Sequence, residues 1–252
     1  MNDLEPSRFY DDLAEVYHLV YAHWEQSVDR QGQQLAGIIR ERWPSSELVL
    51  DAACGIGTQA LGLAAEGFRV TASDVSSAAV ARARREAQAR GLVISFAVAD
   101  LRSLSAVHAG PFDVVIACDN SIPHLLTDAE IVRACEQMRS LLRPGGGCLV
   151  SARDYGPEER TGSRFIPYGI RETNQGRFFL FQVWDFIDED HYDLSFFFVR
   201  DDPAAPEVRV FRTRYYAIAL PRLAALLRSA GFASVEILTD RFFQPVLTGT
   251  NP

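Results

Sequence analysis

The chain has 252 residues, of which 48% are hydrophobic, and it carries a formal net charge of −8. This length predicts one large α/β domain, alone or with an insertion, that buries roughly three quarters of its unfolded surface. The acidic balance argues against DNA or RNA as a partner, because phosphate binding requires a basic face. No apolar run reaches the ~18 residues of a membrane helix, so no membrane partner is expected.

The chain begins with two predicted helices, which span residues 7 to about 42. The first has a face unusually rich in tyrosine, which includes Tyr10, Tyr17 and Tyr21. The second ends before Pro44, because proline cannot continue a helix. We expect the tyrosines to lie in the core or in a lid, and contact with a ligand is the alternative interpretation.

The next segment predicts a strand, a glycine turn and a helix. An apolar run leads into DAACGIGT (residues 51–58), and an Ala/Leu-rich helix follows. Glycines allow the backbone to turn sharply and to approach a ligand closely, and the following helix offers free N–H groups. A second strand ends at Asp74, where a carboxylate is placed to accept hydrogen bonds from both hydroxyls of a ribose. Together the turn and the acid predict a cofactor of the adenosine type.

Further strands follow at regular intervals and end in polar residues. The predicted bounds are 93–99 for the third strand, 112–118 for the fourth, 128–142 for a helix and 148–152 for the fifth strand. Asp100 follows the third strand, Asp119 and Asn120 follow the fourth, and Arg153 follows the fifth. Because the carboxyl ends of parallel strands meet at one cleft, we expect these strand tips to line a ligand site.

The pattern changes after the fifth strand. Residues 154–177 are rich in glycine and proline and predict a loop. Three long β-like runs, 178–187, 192–200 and 208–219, then predict a small antiparallel sheet inserted after strand five. A helix over 221–229 and two last strands, 233–238 and 242–247, complete the predicted elements.

The four cysteines are Cys54, Cys118, Cys135 and Cys148, and none forms a CxxC pair. We expect buried, reduced thiols in a cytoplasmic protein, and no metal site, because no metal-ligand spacing is present. The first six residues lack the basic start and apolar core of a secretory signal.

The glycine turn, the strand-end acids and the RPGGG stop at 143–147 together resemble the class I S-adenosylmethionine-dependent methyltransferases, most strongly over residues 47–154. The resemblance implies an α/β fold: a Rossmann-like seven-stranded doubly wound sheet of order 3-2-1-4-5-7-6, with strand seven antiparallel and a small antiparallel insert after strand five. It implies N-terminal helices (1–45) covering the cofactor cleft of a methyltransferase domain (46–252), whose inserted sheet lies at about 157–219. The implied activity is methylation of a small molecule with S-adenosylmethionine as cofactor, and NAD is the alternative cofactor.

The same resemblance implies where the cofactor binds. Gly55 and Gly57 would lie under its methionine part, Asp74 on its ribose, and Asp100 with Leu101 beside its adenine. The full set of implied cofactor-binding residues is Tyr17, Ala53, Gly55, Gly57, Asp74, Val75, Asp100, Leu101, Cys118 and His124. Asp51 is interpreted as fixing the glycine loop by hydrogen bonding.

Two strand-tip segments, NSIPHL (120–125) and RDY (153–155), resemble the glycine, sarcosine and dimethylglycine N-methyltransferase group, as do RYY (214–216) and FQPV (243–246). This resemblance implies N-methylation of glycine or its N-methyl derivatives. The implied catalytic residues are Asn120, Arg153 and His124, and the implied substrate-binding residues are Asn120, Arg153, Tyr168 and Tyr216. Arg153 would hold the amino-acid carboxylate, because a guanidinium grips a carboxylate with two parallel hydrogen bonds.

Other interpretations stay open. Arg153 could pair with Asp154 or Glu158 instead, and His124 could be a packing residue. The aromatic insert also fits O- or C-methylation of a larger apolar acceptor with His124 as general base. A non-catalytic S-adenosylmethionine-binding regulatory module is a further alternative. The expected partner is a small-molecule methyl acceptor such as an amino acid, and the assembly is open between a monomer and a homo-oligomer.

Overall fold

The computed structural model describes residues 4–156, 160–202 and 205–252. Its strands form a seven-stranded central sheet and a separate four-stranded sheet. The strands in chain order are β1 (Leu48–Asp51), β2 (Arg69–Asp74), β3 (Ser95–Val98), β4 (Phe112–Ala117), β5 (Leu142–Ser151), β6 (Ser163–Thr173), β7 (Gly176–Phe186), β8 (His191–Asp201), β9 (Glu207–Tyr216), β10 (Ala233–Leu238) and β11 (Val246–Thr250).

Helices cover both faces of the central sheet. They are α1 (Pro6–Leu13), α2 (Trp24–Arg42), α3 (Thr58–Ala65), α4 (Ser77–Ala89), α5 (Asp128–Ser140) and α6 (Leu220–Ser229), with 3-10 turns at Tyr17–Val20, Leu101–Ala106 and Ile122–His124. Side chains alternate along the buried strands: Val49 packs with α2 and α3, whereas the next residue, Leu50, belongs to the opposite core with α5 and α6. Burial on both faces gives the strands their near-continuous apolar sequence.

The order of the central sheet is β3-β2-β1-β4-β5-β11-β10. The first five strands are parallel, and β11 pairs antiparallel with both β5 and β10. The predicted strand order and the antiparallel last strand are therefore confirmed. The order reverses direction between β1 and β4, and it is outside the carboxyl ends of such strands that ligands bind in open α/β sheets.

A glycine contact fixes α3 against α2. A Cβ atom on Gly32 of α2 would lie 2.5 Å from a backbone carbon of Gly62 on α3, far inside van der Waals contact. Glycine at both positions therefore lets the two helices touch through their backbones. Because α3 begins directly after the glycine turn at Gly57, this contact also holds the turn in place.

The second sheet is antiparallel throughout, in the order β6-β7-β8-β9. Its inner face packs its aromatic side chains against α1 and the Tyr17–Val20 turn. The predicted insert is therefore present and lies next to the N-terminal helices. Its predicted first residue, 157, lies outside the described residues.

The predicted first helix is divided, since α1 ends at Leu13, a 3-10 turn covers Tyr17–Val20, and Tyr21 lies outside both. Three further boundaries need correction. Residues 163–173 form β6 rather than a loop, because an edge strand tolerates Pro167 and a register shift accommodates Gly169, whose φ is +98°. Strand β5 begins at Leu142 rather than 148, since Leu142 already pairs with Phe112 of β4 and a register shift separates this pair from that of Gly147 with Val114. Strand β11 begins at Val246 rather than 242.

No helix among the described residues is long and apolar enough to cross a membrane.

Candidate cofactor and acceptor site

A cleft lies at the carboxyl ends of the central strands, with about 770 Å³ of empty space. Its walls are the glycine turn, the tips of β2, β3 and β4, and tyrosines of the N-terminal segment. Nine of the ten predicted cofactor residues line it: Tyr17, Ala53, Gly55, Asp74, Val75, Asp100, Leu101, Cys118 and His124. Gly57 is not among the lining residues.

The two glycines of the turn have different tasks. Gly55 has φ +52°, and a Cβ atom added there would meet no atom within 4 Å, so Gly55 leaves the floor of the cleft open. Gly57 has φ +98°, and an added Cβ would lie 3.2 Å from Ala83 and 3.3 Å from Leu61. Gly57 therefore shapes the turn from behind, because side-chain-bearing residues rarely adopt that backbone conformation.

Asp74 braces the glycine turn and faces the cleft. Its carboxylate accepts the N–H of Gly55 at 2.8 Å and the N–H of Ser76 at 2.9 Å. Burial raises the pKa of Asp74, and these backbone hydrogen bonds oppose that shift. A carboxylate has about four lone-pair sites, so Asp74 retains capacity for two ribose hydroxyls.

Asp51 lies behind the turn and is fully buried. Its Oδ1 accepts the N–H of Ala53 at 3.3 Å, which is the loop-fixing contact that the sequence suggests. Burial raises the pKa of Asp51 to about 7.

The tip of β3 carries a salt-bridged acid. Asp100 accepts the Arg102 backbone N–H at 2.7 Å and three hydrogen bonds from the Arg102 guanidinium, and Arg102 also contacts Glu130. Hydrogen bonds from Arg102 lower the pKa of Asp100. Asp100 and Leu101 thus form the end of the cleft farthest along the sheet from β5.

The tip of β4 is a tight turn of two residues in the left-handed region, Asp119 at φ 59° and Asn120 at φ 64°. Asn120 is buried and does not line the cleft; its side chain accepts the N–H of Arg153 at 3.0 Å and donates to the hydroxyl of Tyr155 at 3.1 Å. Asn120 therefore connects the tips of β4 and β5 and positions Arg153.

Arg153 lies behind the cleft in an aromatic enclosure. Its Nη2 donates to the hydroxyl of Tyr168 at 2.8 Å, and its guanidinium carbon lies 5.1 Å from the ring centre of Trp184. Its Nη1 is buried without a hydrogen-bond partner among the described residues. Leaving a charged donor unpaired in this way is costly, so an acceptor outside the described residues is expected at this position. The alternative partner Glu158 lies outside the described residues.

The structure brings Tyr168 to Arg153 but places Tyr216 elsewhere. The hydroxyl of Tyr216 donates to Asp128 at 2.8 Å, and its ring stacks on His191. Successive residues of a strand point to opposite faces, so it is the preceding residue, Tyr215, that faces the site. The assignment of Tyr216 to the acceptor pocket therefore needs correction to Tyr215, whose ring centre lies 4.1 Å from that of His124.

His124 lines the cleft from the turn after β4. Its Nε2 is 2.9 Å from the Tyr10 hydroxyl and its Nδ1 is 3.4 Å from Thr213 Oγ1. Burial lowers the pKa of His124 to about 3, and the nearby positive charge of Arg153 acts in the same direction. The imidazole is therefore neutral and weakly basic at physiological pH.

The N-terminal segment covers the cleft and is anchored at several points. Arg171 of β6 donates to the carbonyls of Leu19, Val20 and Tyr21 at 2.8 to 3.2 Å. On the other side, Asp11 accepts the Ser76 hydroxyl at 2.6 Å and the backbone N–H of Ala78 at the start of α4. These contacts hold Tyr10, Tyr17 and Tyr21 against the cleft, which makes the segment a lid.

Asp119, which the sequence predicts as a strand-tip residue of a ligand site, lines the cleft but is absent from the predicted catalytic, cofactor-binding and substrate-binding sets. Tyr10 and Tyr21, for which the sequence favours the core or a lid over ligand contact, line the cleft as well. The available signal for Asp119 is its position directly after a buried strand. The sequence does not distinguish Tyr215 from its neighbour, because the face of the sheet to which a side chain points depends on the register of the strand.

Metal ligands and thiol pairs do not contribute to the cleft. Among the residues that the structure describes, no three His, Cys, Asp or Glu side chains form a group that could hold a metal ion. The four cysteines are buried and unpaired with one another.

The family model of a methyltransferase domain matches residues 49–146, which contain the glycine turn and the tips of β2, β3 and β4. A glycine/sarcosine N-methyltransferase of Parasynechococcus marenigrum is 31% identical over 132 residues, which are 52% of this chain and 46% of the relative. A ubiquinone biosynthesis O-methyltransferase of Methylocella silvestris is 38% identical over 117 residues, which are 45% of this chain and 44% of the relative. The chain thus spans about half the length of the curated relatives that it matches.

Solved structures are similar over nearly the whole chain. DesVI of Streptomyces venezuelae has a TM-score of 0.82 at 19% identity and covers 95% of this chain and 98% of its own. CalS10 of Micromonospora echinaspora, an amino pentose methyltransferase with bound S-adenosylmethionine, has a TM-score of 0.77 at 18% identity and covers 90% of this chain and 92% of its own. KedS8 of a Streptoalloteichus species, a sugar N-methyltransferase, has a TM-score of 0.77 at 22% identity and covers 94% and 93%. Residues 49–146 thus match a methyltransferase domain, and the chain shares its fold with CalS10, a methyltransferase with bound S-adenosylmethionine.

Proposed function

We propose that this chain is an N-methyltransferase that acts on a small amino acid, such as glycine or its N-methyl derivatives. The observation that carries the proposal is Arg153, whose buried Nη1 has no hydrogen-bond partner among the described residues. A substrate carboxylate would supply the missing acceptor and the opposite charge in one group. The curated glycine/sarcosine N-methyltransferase relative supports the same class of acceptor.

The cleft residues fit the cofactor along its length. Gly55 would leave room under the methionine part, Asp74 would offer free lone pairs to the ribose, and Asp100 with Leu101 would flank the adenine. When bound, S-adenosylmethionine supplies a methyl group on a reactive sulfonium. The protein mainly aligns the acceptor with that methyl group and excludes water.

The chemistry of His124 favours nitrogen over oxygen as the acceptor atom. A general base works best when its pKa is near the working pH, and burial lowers the pKa of His124 to about 3. Both of its ring nitrogens also have a neighbour, Tyr10 or Thr213. An amine needs only a free lone pair, whereas a hydroxyl acceptor needs a stronger base. We therefore propose that His124 forms a wall of the cleft and is not the base for O-methylation.

The test is a methyl-transfer assay over glycine, sarcosine, dimethylglycine, an amino sugar and a phenol. The proposal expects turnover of at least one of the amino acids. Arg153→Lys keeps the charge but loses the planar fork, so the acceptor KM should rise at least tenfold while S-adenosylhomocysteine binding stays within twofold. Arg177→Lys is the matched control, because Arg177 forms an exposed ion pair with Asp201 at the far end of β7.

Three outcomes would contradict the proposal. Turnover of the phenol alone would support the O-methylation alternative, and turnover of the amino sugar alone would move the acceptor to the class named for CalS10 and KedS8. Tight cofactor binding without turnover of any acceptor would support the regulatory module.

A further inference from the structure

Asp119 is held in an unusual backbone conformation at the centre of the cleft. It and Asn120 have φ values of 59° and 64°, in the left-handed region, which Asp and Asn adopt more readily than other side-chain-bearing residues but less readily than glycine. The turn persists because the Asp119 N–H donates to Ser151 Oγ at 2.7 Å and the Asn120 N–H donates to the Ser151 carbonyl at 3.1 Å. Strain of this kind collects at functional sites, and here it directs a carboxylate into the cleft.

The Asp119 carboxylate has polar neighbours but no cation bound to it. Its Oδ2 accepts the Tyr21 hydroxyl at 2.7 Å, and its Oδ1 lies 3.4 Å from the side-chain amide of Gln244. Within the described ranges, no Lys, Arg or His side chain forms an ion pair with it. Arg153 is close enough for its charge to act on Asp119, but it does not touch the carboxylate.

Two opposite charges therefore lie near each other, Asp119 in the wall of the cleft and Arg153 behind it, and neither has an ion-pair partner among the described residues. Arg153 has a buried unpaired donor, and Asp119 lines the cleft beside Cys118 at the tip of β4. A single small zwitterion would satisfy both groups. An α-amino acid has this arrangement, with its carboxylate and its ammonium separated by one carbon.

We propose that Asp119 binds the ammonium group of the methyl acceptor and accepts its proton, while Arg153 holds the acceptor carboxylate. This inference rests on the proposed function and adds the residue that recognises the amine. A role in binding the amine also explains why the tip of β4 has a carboxylate at a position where hydrogen bonds to Ser151 must offset backbone strain.

The proton and electron balance is simple. The ammonium N–H bond breaks, the proton passes to an Asp119 oxygen, and the nitrogen keeps the electron pair. The amine lone pair then forms the N–C bond as the S–C bond of the sulfonium breaks, and sulfur keeps that pair. The proton on Asp119 leaves to solvent when the product departs. Burial raises the pKa of Asp119, which makes its carboxylate a better proton acceptor than an exposed one.

The groups that face Asp119 come from four parts of the fold. They are Tyr10, Tyr17 and Tyr21 of the lid, Cys118 of the same strand tip, Arg153 of the β5 tip, and the uncharged Gln244 before β11. Arg153 is the only cation of this set, so its loss and the loss of Asp119 should have separable effects.

The experiment compares two ligands of the same shape, glycine and glycolate, in which a hydroxyl replaces the ammonium. Their affinities are measured by titration calorimetry in the presence of S-adenosylhomocysteine, on wild type, Asp119→Asn, Arg153→Lys and Tyr21→Phe. Asp119→Asn should weaken glycine at least tenfold and leave glycolate within twofold. Arg153→Lys should weaken both ligands by similar factors. Tyr21→Phe removes a hydrogen bond to Asp119 but keeps its charge, so it should preserve the preference for glycine over glycolate.

Kinetics supply a second readout. Asp119→Asn should raise the acceptor KM and make the rate follow the free-amine fraction more steeply with pH, a change that a merely structural defect would not produce. Equal weakening of glycine and glycolate in Asp119→Asn would overturn the proposal. So would a tenfold loss of S-adenosylhomocysteine affinity in that variant, because Asp119 would then bind the ammonium of the cofactor product.

Failure of the proposed function gives a different pattern. If glycine is inert but an amino sugar turns over, the same comparison with that amine and its hydroxyl analogue tests Asp119 independently of Arg153. If only hydroxyl acceptors turn over, or if no amine binds or turns over, the inference about Asp119 is overturned together with the choice of an amine.

Discussion

The two halves of the cleft are built in different ways. The cofactor half consists of a backbone turn at Gly55 and a carboxylate, Asp74, that both braces the turn and faces the cleft. The proposed acceptor half consists of side chains that come from the lid, two strand tips and the second sheet, with Arg153 and Asp119 among tyrosines. A backbone-built half can serve any methyltransferase with this cofactor. In a half that is built from side chains, a few substitutions can change which substrate binds. We therefore expect the acceptor half to determine substrate specificity.

The largest effect should follow from a break in the cofactor half. Asp74→Ala removes the acceptor for two ribose hydroxyls and the brace on the Gly55 N–H. We expect S-adenosylhomocysteine binding to weaken by ~1.5–3 kcal/mol, about ten- to more than a hundredfold, as calorimetry would show. Asp201→Ala, which removes only an exposed ion pair on the second sheet, is the control. Binding within twofold of wild type would show that the ribose does not lie on Asp74.

The pH dependence of the unfolding free energy tests whether the acceptor half excludes water, as the burial of His124 implies. The folded-state pKa of His124 is about 3, below its ordinary value of 6.5, so below about pH 6.5 only the unfolded chain takes up this proton. The contribution of His124 to stability is therefore present above pH 6.5 and is lost as the pH falls toward 3, by up to ~1.4 kcal/mol per pH unit.

The variant His124→Gln isolates this contribution from those of the buried acids, whose raised pKa values act in the opposite direction. The unfolding free energy of wild type minus that of the variant should fall steadily between pH 6.5 and pH 4 in denaturant titrations. A difference that is independent of pH would mean that His124 titrates normally and that the acceptor half is open to water.

The smallest effect on cofactor binding should follow from loosening the contact between the second sheet and the lid that covers both halves of the cleft. Arg171 holds three consecutive carbonyls of the lid, and Arg171→Met should release it. We expect S-adenosylhomocysteine to dissociate roughly three- to tenfold faster in stopped-flow experiments, with a smaller change in Kd because association should also accelerate. Arg177→Met on the neighbouring strand should leave the dissociation rate unchanged. An unchanged rate in Arg171→Met would show that the lid does not control cofactor exchange.

The contrast between the halves also explains what the sequence could predict. The glycine turn, Asp74 and Asp100 each follow a recognisable strand within a short stretch of chain, so their meeting at one edge follows from parallel-sheet geometry. The central strand order is confirmed for the same reason. These predictions need only local pattern and a known rule of topology.

The acceptor half depends on information that is not local. Successive side chains of β9 point to opposite faces of the sheet. A one-residue uncertainty in the register of β9 therefore decides whether Tyr215 or Tyr216 points toward the site. Pro167 and Gly169 predict a loop, yet the neighbouring strand β7 stabilises residues 163–173 as an edge strand. Asp119 looks like any strand-end acid until the contacts of Ser151 and Tyr21 show how it is directed into the cleft.

The most direct test of the account is a crystal structure of the protein with S-adenosylhomocysteine and sarcosine. We predict that the ribose hydroxyls lie within hydrogen-bond distance of the Asp74 carboxylate and that the sarcosine carboxylate lies on Nη1 of Arg153, with its nitrogen toward the sulfur and Asp119. A structure in which the adenosine lies away from Asp74, or in which sarcosine binds without contacting Arg153, would contradict it.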